Sequence, residues 1–124
     1  MLKCLLAADN ASIVRPLADY FMEKKYHLDI ASDVEDAIKL LKENRAYQFV
    51  IIDINMPQKT GLDIYHYIKK NGITAKVIMM TGDLIGFEQL CGHLKIDARL
   101  EKPITINEFD QILKNLQKDI KESL

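Results

Sequence analysis

The sequence predicts an α/β fold: one open sheet of five parallel strands with five helices packed on its two faces. Three observations lead there. Short apolar runs alternate with segments of helical periodicity along all 124 residues. The runs are apolar without strict alternation, as suits strands covered on both faces. The segments between them are long enough for right-handed crossover connections, which parallel strands require.

Strand-like runs stand at Leu2 to Ala8, His27 to Ala31, Phe49 to Ile52, Lys76 to Met80 and Ala98 to Leu100. Several are rich in Val, Ile or Leu, which fit a pleated, buried surface. Between them, Ile13, Val14, Leu17, Ala18 and Phe21 form one helical stripe, and Val34, Ala37, Ile38 and Leu41 a second. Leu62, Tyr65 and Ile68, then Phe109, Ile112, Leu113 and Leu116, continue the pattern. Ser32 precedes Glu35 by three residues and Thr105 precedes Glu108 by three, the capping-box spacing that marks a helix start.

Composition bounds the function. The chain carries 17 Lys and Arg against 18 Asp and Glu, with 48% apolar residues. A chain of this length buries roughly two-thirds of its unfolded surface, enough for a single core, so one domain over residues 1–124 is expected, with no output domain. The near balance of charge gives no general attraction to nucleic acid or an anionic membrane. No apolar run approaches the ~20 residues that span a bilayer, and the N-terminus is too weakly apolar for a secretory signal. A cytoplasmic setting is expected. Cys4 and Cys91 lack metal or redox spacing and read as small buried hydrophobes.

In an open α/β sheet, ligands bind beyond the carboxyl ends of the strands. Asp9 follows the first apolar run, Asp53 the third, Thr81 the fourth, and Lys102 comes shortly after the fifth. Alone, each is the turn former or helix cap that strand ends usually carry. Together they bring two carboxylates, a hydroxyl and an ammonium to one edge. Two carboxylates with a backbone carbonyl suit Mg²⁺, which would offset the repulsion between Asp9 and Asp53. Lys102 and Thr81 could serve the oxygens of a phosphoryl group, with an Asp as nucleophile.

These residues resemble a known family. Asp53-Ile54-Asn55-Met56-Pro57 followed by Gly61-Leu62, with Asp9-Asn10 upstream, Thr81-Gly82 between and Lys102-Pro103 near the end, is similar to the receiver domain of two-component response regulators. The resemblance covers essentially the whole chain, in the family's order and spacing. It implies a flavodoxin-like (βα)5 fold with strand order 2-1-3-4-5. It also implies that Asp53 accepts a phosphoryl group from a histidine kinase or histidine phosphotransfer protein. Asp9, Asp53 and the backbone carbonyl of Asn55 would bind Mg²⁺. Thr81 would hydrogen-bond the phosphoryl group and draw its loop inward, and Lys102 would pair with another oxygen. Gly82 would leave the approach to Asp53 open, and a cis peptide before Pro103 would aim Lys102 into the crevice. The chain would then be a switch that binds an unknown downstream protein, not a turnover enzyme, with no direct contact to nucleic acid or membrane.

The chain departs from the family at several positions. Ala8 replaces the first of two adjacent acids, which weakens the metal site, because a group that orients a metal through water is worth ~10–100-fold in affinity. At position 99 the family often has an aromatic residue that swings inward with the Thr. Arg99 is either a charged contact on the output face or a solvated strand-end residue. Glu101 replaces an apolar neighbour and is expected to pair with a nearby base. Thr60 stands where many receivers have an Asp, and Asn55 and Asp83 hold the positions that tune attack of water on the acyl phosphate.

His27, His66 and His93 lack metal spacing, and Lys114, Lys118 and Lys121 read as the wet face of the last helix. Three other functions compete. A degenerate receiver would dock a partner without phosphorylation, as Ala8 and Arg99 suggest. A small phosphatase is disfavoured because Asn55 stands where a general acid is needed. A flavin or dinucleotide site is disfavoured because Ala8-Asp9-Asn10-Ala11 lacks a glycine- or hydroxyl-rich phosphate loop.

Overall fold

The computed structural model describes residues 2–44, 46–56 and 60–122, with side chains described through residue 118. Strands and helices alternate as β1 (Lys3–Ala7), α1 (Ala11–Glu23), β2 (His27–Ala31), α2 (Val34–Glu43), β3 (Phe49–Asp53), α3 (Leu62–Lys70), β4 (Lys76–Thr81), α4 (Leu84–Cys91), β5 (Ala98–Glu101) and α5 (Ile106–Glu122). The strands form one parallel sheet in the order β2-β1-β3-β4-β5, the flavodoxin-like arrangement expected. Among the described residues no helix is long and apolar enough to cross a membrane.

Side-chain alternation along the strands divides the interior in two. Leu5, Ala7, Val50, Ile52, Val77 and Met79 pack with Ala37, Leu41, Ile64 and Ile68, so this face of the sheet is covered by α2 and α3. Cys4, Leu6, Phe49, Ile51, Ile78 and Met80 pack with Leu17, Phe21, Phe109 and Leu113, so the other is covered by α1 and α5. The central strand β3 is buried at every position, Asp53 included. The edge strands β2 and β5 are only half-buried along most of their length.

Polar pairs join elements across this interior. Tyr20 Oη donates to Asp110 Oδ1 at 2.6 Å, tying α1 to α5, and Tyr47 Oη donates to Asp29 Oδ2, tying the approach to β3 to β2. Burial first, then the adjoining carboxylate, pushes both tyrosine hydroxyls upward, so they remain neutral donors.

Two local expectations are corrected. The cap of α2 is Asp33, whose side chain accepts from Asp36 N at 2.7 Å, not Ser32 one residue earlier. Cys91 is half-buried against the core, whereas Cys4 is wholly buried. At the other predicted cap, Thr105 Oγ1 does accept from Glu108 N at 3.2 Å. Pro57 and Lys121 lie outside the residues whose side chains are described.

Candidate functional site

Sheet register assembles the site. Ala7 of β1 stands opposite Ile52, Asp53 opposite Met80, and Thr81 opposite Glu101. Residues that follow Ala7 and Ile52, end β4 and follow β5 therefore share the carboxyl edge of the sheet. The backbone closes the edge further: Ile54 N donates to the Met80 carbonyl at 3.1 Å, and Lys102 N to the Thr81 carbonyl at 2.7 Å.

Asp53 is the centre of this edge. Its carboxylate sits at the end of the most buried strand and is 1% exposed. Lys102 Nζ lies 2.6 Å from Oδ1, and Asn55 N donates to the same oxygen at 3.0 Å. A charge taken so far from water needs a partner, and Lys102 provides it across 49 positions of sequence. Among the described residues both bonds go to Oδ1, so Oδ2 is the oxygen left for another group.

Gly61 allows α3 to start directly behind this carboxylate. A Cβ there would overlap Ile52 Cγ2 and stand 2.8 Å from the carbonyl oxygen of Asp53. Gly61 N instead donates to the Ile54 carbonyl at 3.1 Å, closing the loop after β3. At Gly82, by contrast, a Cβ would meet nothing within 4 Å, so packing makes no demand for glycine there.

Thr81 is 5% exposed, and its Oγ1 accepts from Asp83 N at 3.1 Å. Asp83 caps α4 by accepting from Gly86 N at 3.0 Å, so the Thr81 hydroxyl is two bonds away from the first turn of that helix. Asp9 is exposed beyond the end of β1, and Asn10 caps α1 by accepting from Ser12 N at 2.9 Å. Asn55 is also exposed. The Lys102–Pro103 peptide is cis. Clefts among the described residues open on the edge, one of about 430 Å³ between Ile13, Pro16 and Lys102-Pro103 and another of about 390 Å³ between Asn55, Thr81 and Phe87.

The carboxylate pair fits a hard divalent cation in donor chemistry, since Asp9 and Asp53 offer oxygens alone and Mg²⁺ keeps several waters beside one or two carboxylates. Ala8 adds no donor: it is 1% exposed and packs in the apolar cluster with Leu6 and Ile51. Among the described residues no group of three His, Cys, Asp or Glu could hold a metal.

Arg99 decides between two expectations, and Glu101 corrects a third. Arg99 is not a solvated strand end: its Nε lies 2.5 Å from Glu88 Oε1, with its guanidinium carbon 5.9 Å from the centre of the Phe87 ring. The Glu88 carboxylate stands off the line of the N–H bond, which makes this a close ion pair rather than an aligned hydrogen bond. Among the described residues Glu101 pairs with no base; its Oε2 accepts from Leu84 N at 3.0 Å. Neither partner could be named from sequence, because each contact joins a strand to a helix with no short-range spacing to mark it.

A family profile described as response regulator receiver domain matches residues 4–114. The chain belongs to that family. This receiver is 32% identical over 110 residues to the sensor histidine kinase RcsC of Salmonella typhi, covering 88% of this chain and 12% of that protein. It is 28% identical over 116 residues to the transcriptional regulatory protein TctD of Salmonella typhimurium, covering 93% of this chain and 51% of the relative. The receiver thus spans at most about half the length of these curated relatives. Among solved structures it is similar to the response regulator TrrA of Thermotoga maritima in complex with Mg²⁺ and beryllofluoride. That likeness has a TM-score of 0.82 at 28% identity over 94% of this chain and 99% of the other.

Proposed function

We propose that this receiver takes a phosphoryl group onto Asp53 from a histidine kinase or histidine phosphotransfer protein and passes the change to a downstream protein. The convergence of Lys102 on the buried Asp53 carboxylate carries this reading, because it presents a charged, positioned oxygen beside a second that has no partner among the described residues. A carboxylate oxygen of Asp53 attacks phosphorus as the P–N bond to the donor imidazole breaks. The electron pair leaves with that ring nitrogen, and an acyl phosphate remains on Asp53. Lys102 stands where it can shift from Asp53 Oδ1 to a phosphoryl oxygen. The Thr81 hydroxyl can turn its proton from the Asp83 carbonyl oxygen, 3.4 Å away, to another phosphoryl oxygen.

Asp9, Asp53 and the Asn55 backbone carbonyl are the groups that would hold Mg²⁺, which when bound supplies neutralisation of phosphoryl charge. The similar TrrA structure, in complex with Mg²⁺ and beryllofluoride, supports Mg²⁺ as the ion. The chain acts stoichiometrically as a phosphoacceptor. A single domain over residues 1–124 carries it.

Intact-mass measurement after incubation with acetyl phosphate and Mg²⁺ tests the proposal. The protein should gain one phosphoryl group, and Asp53→Asn should gain none. No gain at millimolar Mg²⁺, or an equal gain in the variant, overturns it. Burial of Ala8 in the apolar cluster favours one second reading, a degenerate receiver that docks its partner without phosphorylation. That reading requires no Mg²⁺ binding in the millimolar range.

A further inference from the structure

Strand β5 presents one charge to each end of α4. Glu101 accepts from the amide of Leu84, the first residue of the helix, at 3.0 Å. Two positions earlier, and so on the same side of the strand, Arg99 reaches the far end. It meets Glu88 at 2.5 Å, and its Nη2 stands 3.5 Å from the carbonyl oxygens of Gly92 and Leu94. The signs match the helix: a carboxylate at the partly positive N-terminus and a guanidinium at the partly negative C-terminus.

The apolar hold on α4 is thin by comparison. Phe87 is its buried residue, and Arg99 covers that ring, whereas Ile85 and Leu90 are 74% and 78% exposed. The seat is also joined to the phosphoacceptor edge. Glu101 stands opposite Thr81 in the β4–β5 ladder, and Thr81 bonds the amide of the α4 cap Asp83.

We propose that Arg99 and Glu101 form an ionic clamp that seats α4 and sets how readily the helix and the Thr81 loop move together. Both are positioning residues, acting through α4. The charges hold by attraction through a partly wet gap, since the Arg99 and Glu88 side chains are 27% and 45% exposed. Seating of α4 therefore weakens with ionic strength, as the screening length falls from ~10 Å at 0.1 M to ~3 Å at 1 M salt. The link to the Thr81 loop rests on Asp53 being the phosphoacceptor.

Hydrogen exchange by mass spectrometry on the whole chain tests the clamp. Arg99→Gln and Glu88→Gln should each speed exchange of the amides of residues 84–92 by roughly 2–5-fold, the upper range of a solvent-accessible ion pair. β1 and β3 should be unchanged, and the double variant should exceed neither single by much, because both remove one interaction. Raising salt should move the unmodified protein toward the variants. Unchanged exchange at residues 84–92 in both singles overturns the clamp. If a variant fails to fold, the salt series decides, and a flat response overturns it. Beryllofluoride with Mg²⁺ separates the two layers: the variants should saturate at a lower beryllofluoride concentration than the unmodified protein. An equal midpoint overturns the coupling. No response in any protein removes the phosphoacceptor reading, while the exchange data still judge the clamp.

Discussion

At position 8 a methyl group stands where the receiver family usually carries an acid, and it is buried rather than turned to the crevice. On the proposed reading, Asp9 is then the acid that would join Asp53 and the Asn55 carbonyl at the metal. Ala8→Asp should raise Mg²⁺ affinity by roughly 10–100-fold, the usual worth of a group that orients a metal through water. It should also lower stability by about 1–3 kcal/mol, because a polar group enters an apolar cluster. Titration with Mg²⁺ and urea unfolding check the two halves, and an unchanged Mg²⁺ affinity would show that the acid is not what limits the site. Asp53, Thr81 and Lys102 were legible from sequence because chemistry at strand ends follows from where strands stop. The bonds from Tyr47 to Asp29, from Tyr20 to Asp110 and from the Leu84 amide to Glu101 were not. Each depends on which helix or loop comes to rest over which strand.

Among the elements, those with strong periodicity were located from sequence, whereas the weakly patterned one was expected only as one of five helices. α1, α2, α3 and α5 each carry a stripe of buried residues, whereas α4 is 8 residues long, with Phe87 as its buried residue, and shows no stripe. Charges seat it instead, and charge partners across elements leave no period in sequence. Helix starts were legible to within a residue. Ser32 and Asp33 are both good caps, and only the extended backbone at Asp33, with φ −150° and ψ 173°, lets its carboxylate reach Asp36 N. Asp33→Ala should cost about 1 kcal/mol and Ser32→Ala near nothing. Chemical denaturation of both variants checks this, and equal losses would return the cap to Ser32. α1 ends differently, with Lys25 at φ 61° in the left-handed region where glycine is the usual occupant.

Over the whole molecule, two carboxylates make stability depend on acid. Partial burial pushes Asp29 up, but hydrogen bonds from Tyr47 and His27 and the charges of His27 and Lys3 outweigh it and leave the carboxyl below its ordinary value. Hydrogen bonds from Tyr20 and Lys114 hold Asp110 low as well, against a smaller push from burial. The folded protein therefore binds fewer protons than the unfolded chain below about pH 4. The stabilisation is fully present above that pH and is lost as pH falls through the lower folded values. Asp29→Asn should be less stable at neutral pH and should lose stability less steeply between about pH 4 and 2. Urea midpoints across that range measure the slope, and an unchanged slope would remove Asp29 from the account. The chemistry of Cys4 belongs to the same interior: burial pushes its thiol up to about 12, so in the folded state it behaves as a hydrophobe.

The pairing of α1 with α5 has a consequence for synthesis. The face of the sheet that holds Cys4, Leu6, Phe49 and Ile51 is roofed jointly by Leu17 and Phe21 from the first helix and Phe109 and Leu113 from the last. A nascent chain can lay down β1, β2, β3 and one complete face as the ribosome delivers them. The second face remains open until residues 106–116 emerge from the exit tunnel. Only then can Asp110 meet Tyr20 and the aromatic rings of Tyr20, Phe21 and Phe109 close edge to face. Every growing copy therefore passes through a stage with half its interior uncovered, and a chaperone that recognises apolar surface has its longest opportunity there.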